Sequence, residues 1–193
     1  MRLIASTAFL ALALPALTVP ALATPPVPRK TPEFTIMDPS GKQTLISSYK
    51  GKVLVLPFMF TTCPHCQAYA KVLTKIQNDY ASKGVQVLGT VFNDANGAMA
   101  TQFVKEFGVG FPVGYANRDA VISYLGISVM ERWVVPQVVV IDRKGNIVAQ
   151  SDATQGSPQL QEEASLRAFL DKLLKESATT STAAPKKAVA KAE

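Results

Sequence analysis

The sequence predicts an α/β fold in which a mixed β-sheet is flanked by helices and preceded by a β-hairpin. Three observations predict it. Positions 53–60 and 85–92 are apolar runs rich in β-branched and aromatic residues, with the length and composition of strands buried on both faces. Between them lies a stripe of apolar residues spaced three and four apart, the period of a helix packed on one side. After a second helical stripe the pattern turns to a hairpin and a closing helix, an order that gives a mixed sheet covered by helices.

Positions 34–37 and 45–46 flank Asp38-Pro39-Ser40-Gly41, a turn sequence, and form the N-terminal hairpin. The run 53–60 is the first long strand; Pro57 within it has no N–H for the ladder, so a bulge or break is expected there. Cys66, Tyr69, Ala70, Leu73, Ile76 and Tyr80 are the buried stripe of the first long helix, which Gly84 stops. The run 85–92 reads as a single second strand, and Met99, Phe103 and Phe107 mark the second helix. Positions 138–141 and 147–149 pair around the turn Asp142-Arg143-Lys144-Gly145-Asn146. Positions 160–175 form the closing helix, with Ser157 as cap, Pro158 in the first turn, and the pairs Glu163/Arg167 and Asp171/Lys175 four apart.

The ends differ from this core. Met1-Arg2 is a minimal positive n-region, positions 3–14 are mostly apolar, and Ala21-Leu22-Ala23 has the small-x-small pattern of a signal-peptidase site. The expectation is a signal peptide over 1–23 and an exported, periplasmic protein; the alternative is an uncleaved membrane anchor, against which Pro15 and Pro20 interrupt the apolar stretch. Positions 24–32, with Pro25, Pro26 and Pro28, read as an extended leader and not a packed element. Positions 177–193 lack aromatics and, apart from Val189, large aliphatics, and read as a disordered tail. One folded domain over 33–176 remains in a chain of 193 residues.

Composition narrows the chemistry. Two cysteines and one histidine fall short of a four-ligand zinc site and leave no second histidine for a separate catalytic dyad. The formal charge of +6 is spread along the chain and into the tail at Lys186, Lys187 and Lys191, which gives no case for a nucleic-acid partner. The chemistry sits at Cys63-Pro64-His65-Cys66, directly after the first strand and at the start of the first helix. Unpaired N–H groups and the positive end of the helix dipole favour a thiolate there, and Pro64 suits a first turn whose N–H has no helical partner. The spacing returns Cys66 to the side of Cys63, close enough for a disulfide to open and close, with Cys63 as exposed nucleophile and Cys66 as buried resolving thiol.

Other readings of the motif stand beside this one. A structural disulfide closing so short a loop would constrain the unfolded chain little. Cys63, His65 and Cys66 could ligate copper or zinc, although three neighbours at a helix start rarely converge on one metal. A thiol peroxidase would use Cys63 against peroxide, near Thr61 or Thr62. Haem attachment requires a histidine after the second cysteine, where Gln67 stands. No cofactor is called for.

The chain resembles the thioredoxin-fold thiol-disulfide oxidoreductases, most closely the exported TlpA/ResA branch of the AhpC/TSA-like superfamily. The resemblance covers about 33–176 and is carried by the hairpin, by Lys50-Gly51-Lys52-Val53-Leu54-Val55 leading into the CxxC, and by Val135-Pro136 followed by Val138-Val139-Val140-Ile141-Asp142 and Gly145-Asn146-Ile147-Val148. It implies a thioredoxin-like sheet, a redox-active Cys63–Cys66 disulfide exchanged with protein thiols or disulfides, and a redox partner protein, with the membrane involved only if the signal is uncleaved. It further implies that Pro136 is cis and packs against the disulfide, and that Val135 offers backbone hydrogen bonds to a bound substrate peptide. The candidate clients are apocytochrome c, a copper-site assembly protein and general exported thiols.

The departures matter equally. The peroxiredoxin signature places Pro, Thr and Cys at spacings of four and then three; Pro57 and Thr61 keep the four, but Cys63 follows Thr61 by only two. Thr62 replaces the tryptophan that usually precedes the first cysteine, and Pro57 replaces the buried carboxylate that thioredoxin carries six residues earlier. Trp133, beside the cis-proline loop, is either a core or rim residue or a partner contact. The Pro64-His65 dipeptide is that of DsbA-type oxidants, while the surrounding chain looks like TlpA/ResA reductants. A charged or hydrogen-bonding His65 would favour the thiolate of Cys63, so the pair is expected to lie above about −220 mV.

Overall fold

The computed structural model describes residues 24–130 and 132–182, so the expected signal peptide and the end of the tail lie outside the described residues. The run of apolar residues at 53–60 becomes β4 (Val53–Met59), buried along its whole length at the centre of a nine-stranded mixed sheet. Before it come β1 (Arg29–Lys30) and the antiparallel hairpin of β2 (Thr35–Met37) and β3 (Gln43–Leu45). After it come β5 (Val85–Val87), β6 (Gly89–Val91), β7 (Val113–Tyr115), β8 (Gln137–Ile141) and β9 (Asn146–Gln150). The order across the sheet is β1-β9-β8-β4-β6-β7-β2-β3, with β5 also paired to β4. β4 runs parallel to β5 and β6 and antiparallel to β8.

Alternation along β4 builds two cores. Val53, Val55 and Met59 face the stripe Cys66, Tyr69, Ala70, Leu73, Ile76 and Tyr80 of α1 (Pro64–Tyr80), together with Phe103 of α2 (Gly97–Phe107). Leu166 and Leu170 of α5 (Glu163–Thr182) complete that side. Leu54, Leu56 and Phe58 face the other way, onto Phe34 and Ile36 of the hairpin region and Val121, Tyr124 and Leu125 of α3 (Arg118–Leu125). The expected class, a mixed sheet flanked by helices with an N-terminal hairpin, is the one observed.

The expected interruption at Pro57 falls on its neighbour instead. Val138, opposite Pro57, donates its N–H to Ser151 Oγ and accepts the Ser151 N–H, so both its groups point away from β4. By the alternation of an antiparallel ladder, the N of Pro57 therefore faces the parallel side. There the partner strand is divided into β5 and β6, and the Leu88 N–H between them reaches back to the Val55 carbonyl at 3.0 Å. β4 stays continuous, and the single strand expected over 85–92 becomes two.

Three further expectations are corrected. The leader is not unpacked: Arg29 and Lys30 pair with Ile147 and Asn146 of β9. The closing helix is two helices, a short α4 (Pro158–Gln161) and α5, because Glu162 is extended between them; Ser157 occupies the cap position of α4 without a side-chain capping bond. Finally, α5 continues past the expected boundary at 176 as far as Thr182, since lengthening a packed helix avoids the cost of nucleating a new one.

Candidate active site

β4 ends at Met59 and α1 starts at Pro64, so four residues carry the chain from strand to helix. The Cys63 N–H closes this turn on the Phe60 carbonyl at 3.3 Å. Thr61 is held at every polar group: its N–H donates to Asn93 Oδ1 at 3.0 Å, its hydroxyl accepts from Asn93 Nδ2 at 3.0 Å, and its carbonyl accepts from Gln67 Nε2 at 2.9 Å. Cys63 then occupies the N-cap of α1, with extended backbone angles, and its carbonyl accepts the Gln67 N–H at 3.0 Å.

The two thiols receive different surroundings. Cys63 is half-buried, with its Sγ 4.0 Å from the Val135 carbonyl oxygen. Cys66, one helical turn on, is fully buried in the core, and its Sγ accepts the Phe60 N–H at 3.5 Å. Burial pushes the Cys66 thiol up, the Phe60 N–H opposes this, and the neighbouring Cys63 adds to the rise. Both cysteines are free thiols, the reduced half of the expected dithiol/disulfide couple. Pro64 and His65 are exposed on the first turn.

The Val135–Pro136 bond is cis and Pro136 is buried. The Pro136 carbonyl accepts from Gln161 Nε2 at 2.8 Å, and the buried Tyr69 hydroxyl, on α1, donates to the Leu160 carbonyl at 2.6 Å. Through Leu160 and Gln161, α4 thus ties the cysteine helix to the proline loop. Gln137 Nε2 braces the same loop by donating to the Val134 carbonyl at 2.8 Å.

Trp133 is anchored by ring contacts. Its half-buried ring stacks on Phe92 at 5.7 Å, meets Phe60 edge-on at 5.8 Å, and carries the Arg118 guanidinium 5.2 Å above it. Of the two roles considered for it, the packing role is the one its contacts describe. Phe60 is the hinge of this arrangement, since its backbone touches both cysteines and its ring touches Trp133.

The ligand set Cys63, His65 and Cys66 does not assemble: Cys66 is buried while His65 is exposed, and among the described residues no three His, Cys, Asp or Glu side chains are grouped to hold a metal ion. What the geometry can do is present one thiol for attack while a second waits, out of water, next to it. Sequence reasoning found Cys63, Cys66, Val135 and Pro136, which the structure brings together. It did not single out Phe60, Asn93, Gln161 or the hydroxyl of Tyr69, because their partners are set by the tertiary fold.

The family model described as Redoxin matches residues 26–170. The thiol-disulfide oxidoreductase ResA of Bacillus thuringiensis is 25% identical over 134 residues, covering 69% of this chain and 74% of that protein. ResA of Geobacillus thermodenitrificans is 25% identical over 116 residues, covering 60% of this chain and 63% of its own. Among solved structures, a thioredoxin-family thiol:disulfide interchange protein from Chlorobium tepidum matches with a TM-score of 0.62 at 23% identity, covering 78% of this chain and 99% of that one. A thiol:disulfide interchange protein from a Bacteroides species matches with a TM-score of 0.64 at 20% identity, covering 78% and 91%. The shared fold is the thioredoxin-like one.

Proposed function

The chain belongs to the Redoxin family, and on that premise we propose that it is an exported thiol-disulfide oxidoreductase exchanging disulfides with protein substrates through Cys63 and Cys66. The asymmetry of the pair carries the reading. Cys63 is reachable at a helix N-terminus beside the carbonyl that precedes a cis-proline, and Cys66 is buried with its thiol held protonated. The names of the ResA relatives, thiol-disulfide oxidoreductases, support the same class.

In the reducing direction the Cys63 thiolate attacks a client disulfide, forms a mixed disulfide and expels one client sulfur as thiolate. Cys66 then gives up its proton and attacks Cys63, releasing the second client sulfur and leaving a Cys63–Cys66 disulfide for a redox partner protein to reduce. The oxidising direction is the reverse. Keeping Cys66 protonated until Cys63 is engaged stops the two thiols from competing for one client. Val135, at the mouth of the site, supplies the backbone that a client segment meets. Export and a periplasmic location rest on positions 1–23, and clients are exported protein thiols, apocytochrome c among the candidates.

Replacing the resolving thiol tests the assignment. Cys66→Ser should accumulate mixed disulfides with client proteins, visible on non-reducing gels and released by reductant, whereas Cys63→Ser should accumulate almost none. Equal trapping by both variants would reject the roles. Peroxide turnover without insulin-disulfide reduction would move the protein to the peroxidase class.

A further inference from the structure

We infer that the protein has a second binding site, independent of the thiol exchange proposed above, which takes a phosphate-bearing anion in a cavity at the end of the sheet opposite the cysteines. The cavity measures about 270 Å³ and is lined by four lysines, Lys30, Lys50, Lys52 and Lys144, against two carboxylates, Glu33 and Asp142. Ile46, Leu54 and Ile141, all buried, give it an apolar wall. Leu54 stands five positions before Met59, the last residue of β4, so the cavity lies about 17 Å along the strand from the cysteine turn.

Backbone hydrogen bonds bring these lysines together from three parts of the chain. The Gly51 N–H, between Lys50 and Lys52, donates to the Arg143 carbonyl at 3.1 Å and fixes that loop against the turn joining β8 and β9. Gly51 sits in the left-handed region, at a φ of 90°, which lets the chain turn tightly there. Thr31, next to Lys30, donates its N–H to the Gly145 carbonyl at 3.1 Å, and the Lys30 ammonium donates to the Lys144 carbonyl at 3.4 Å. Arg143 adds another positive charge at this end, its guanidinium donating to the Lys83 carbonyl at 3.1 Å.

The two carboxylates leave the lysines free. Asp142 spends both oxygens on its own turn: Oδ1 accepts the Lys144 and Asn146 N–H groups at 2.9 and 2.8 Å, and Oδ2 accepts Asn146 Nδ2 at 3.0 Å. Glu33 Oε1 accepts the Phe34 and Ser47 N–H groups, both at 3.2 Å; it feels the charge of Lys50 without pairing with it. Among the described residues none of the four lysines is in an ion pair, and all four are exposed. A concave cluster of uncompensated like charges concentrates multivalent anions. Lysines are point charges on flexible stems, suited to charge spread over several oxygens, and no arginine fork lines the cavity to select a planar carboxylate. A phosphate ester, as a free small molecule or as a lipid headgroup, has that chemistry.

Two probes separate the sources. sn-Glycerol 3-phosphate, with glycerol as uncharged control, tests the free ester; vesicles of phosphatidylglycerol in phosphatidylcholine, against phosphatidylcholine alone, test the headgroup. In low-salt buffer glycerol 3-phosphate should saturably shift the backbone amide NMR signals of positions 46–52 and 142–145 and leave those of 63–67 in place, and the anionic vesicles should carry the protein down on sedimentation. K50A/K52A should weaken the response at least about fivefold, the loss expected for two charge-assisted contacts in a solvent-exposed setting. K50R/K52R, which keeps both charges, should bind like the wild type. K71A/K105A removes the same charge from exposed positions on α1 and α2 outside the cavity and should change nothing.

Saturation by glycerol 3-phosphate assigns the site to free phosphate esters, and vesicle binding without it assigns the site to lipid headgroups; either result supports the inference. Silence toward both probes overturns it. Binding unchanged in K50A/K52A, or lost equally in K50R/K52R, overturns it too. An equal loss in K71A/K105A would make net charge the cause and not the cavity, and shifts confined to positions 63–67 would put the anion at the start of α1; both also overturn the inference.

Discussion

At the scale of single residues, burial divides the labour between two identical thiols. Cys66 is fully buried and Cys63 half-exposed, although they sit three positions apart on one helix start. That difference follows from the helix period: Cys66 belongs to the stripe that continues through Tyr69, Ala70 and Leu73, and Cys63 precedes it as the cap. His65 is on the exposed side of the first helical turn, two positions from Cys63. Stabilising the thiolate stabilises the dithiol over the disulfide, so the pair should lie above about −220 mV, between thioredoxin and DsbA at about −270 and −120 mV. His65→Ala should lower the potential by about 30 mV, a tenfold change in the equilibrium constant, measured against a glutathione redox buffer. A potential at or below that of thioredoxin, unchanged in His65→Ala, would instead make the protein a reductant fed by an electron donor. The cysteines and Pro136 were legible because the chain carries them at fixed spacings. The role of Trp133 was not, since its neighbours Phe60, Phe92 and Arg118 arrive from three other parts of the sequence.

At the scale of elements, α4 does for the site what no strand could. It lies between the cysteine helix and the proline loop and binds both, through the Tyr69 hydroxyl to the Leu160 carbonyl and through Gln161 to the Pro136 carbonyl. Tyr69→Phe keeps the ring in its core position but leaves the Leu160 carbonyl without that donor. It should lower the unfolding free energy by about 1 to 2 kcal/mol, read from the urea midpoint at constant slope. An unchanged midpoint would show that the bond adds nothing. Strongly periodic elements such as β4, α1 and the β8–β9 hairpin were readable in advance, because their apolar residues recur over many positions. α3 was missed because it is short, though its boundaries were written in the chain: Asn117 caps it by accepting the Asp119 N–H at 2.8 Å, and Gly126 ends it in the left-handed conformation. β1 was missed because two residues among prolines give no period, and only β9 makes them a strand.

At the scale of the whole molecule, hydrogen bonds tie Thr24 to the loop beside the active site. Thr24 Oγ1 accepts the Ala153 N–H at 3.0 Å, and the Ala153 carbonyl accepts the Val134 N–H, next to the residue whose carbonyl faces Cys63. The Arg29 side chain secures the intervening segment by donating to the Pro25 and Pro26 carbonyls and to Gln150 Oε1. The residue that follows the expected cleavage site is thus itself tied into the fold. Among the described residues no helix is long and apolar enough to cross a membrane. An apolar segment retained at positions 1–23 would tether the end of the chain that is bonded close to the proline loop, and cleavage after Ala23 would release it. The mature N-terminus should accordingly be Thr24, and the protein should be released with the periplasmic fraction. N-terminal sequencing of material from the native envelope checks this. Survival of Met1 or Arg2, with recovery only in detergent extracts, would show instead that the protein stays anchored through this segment.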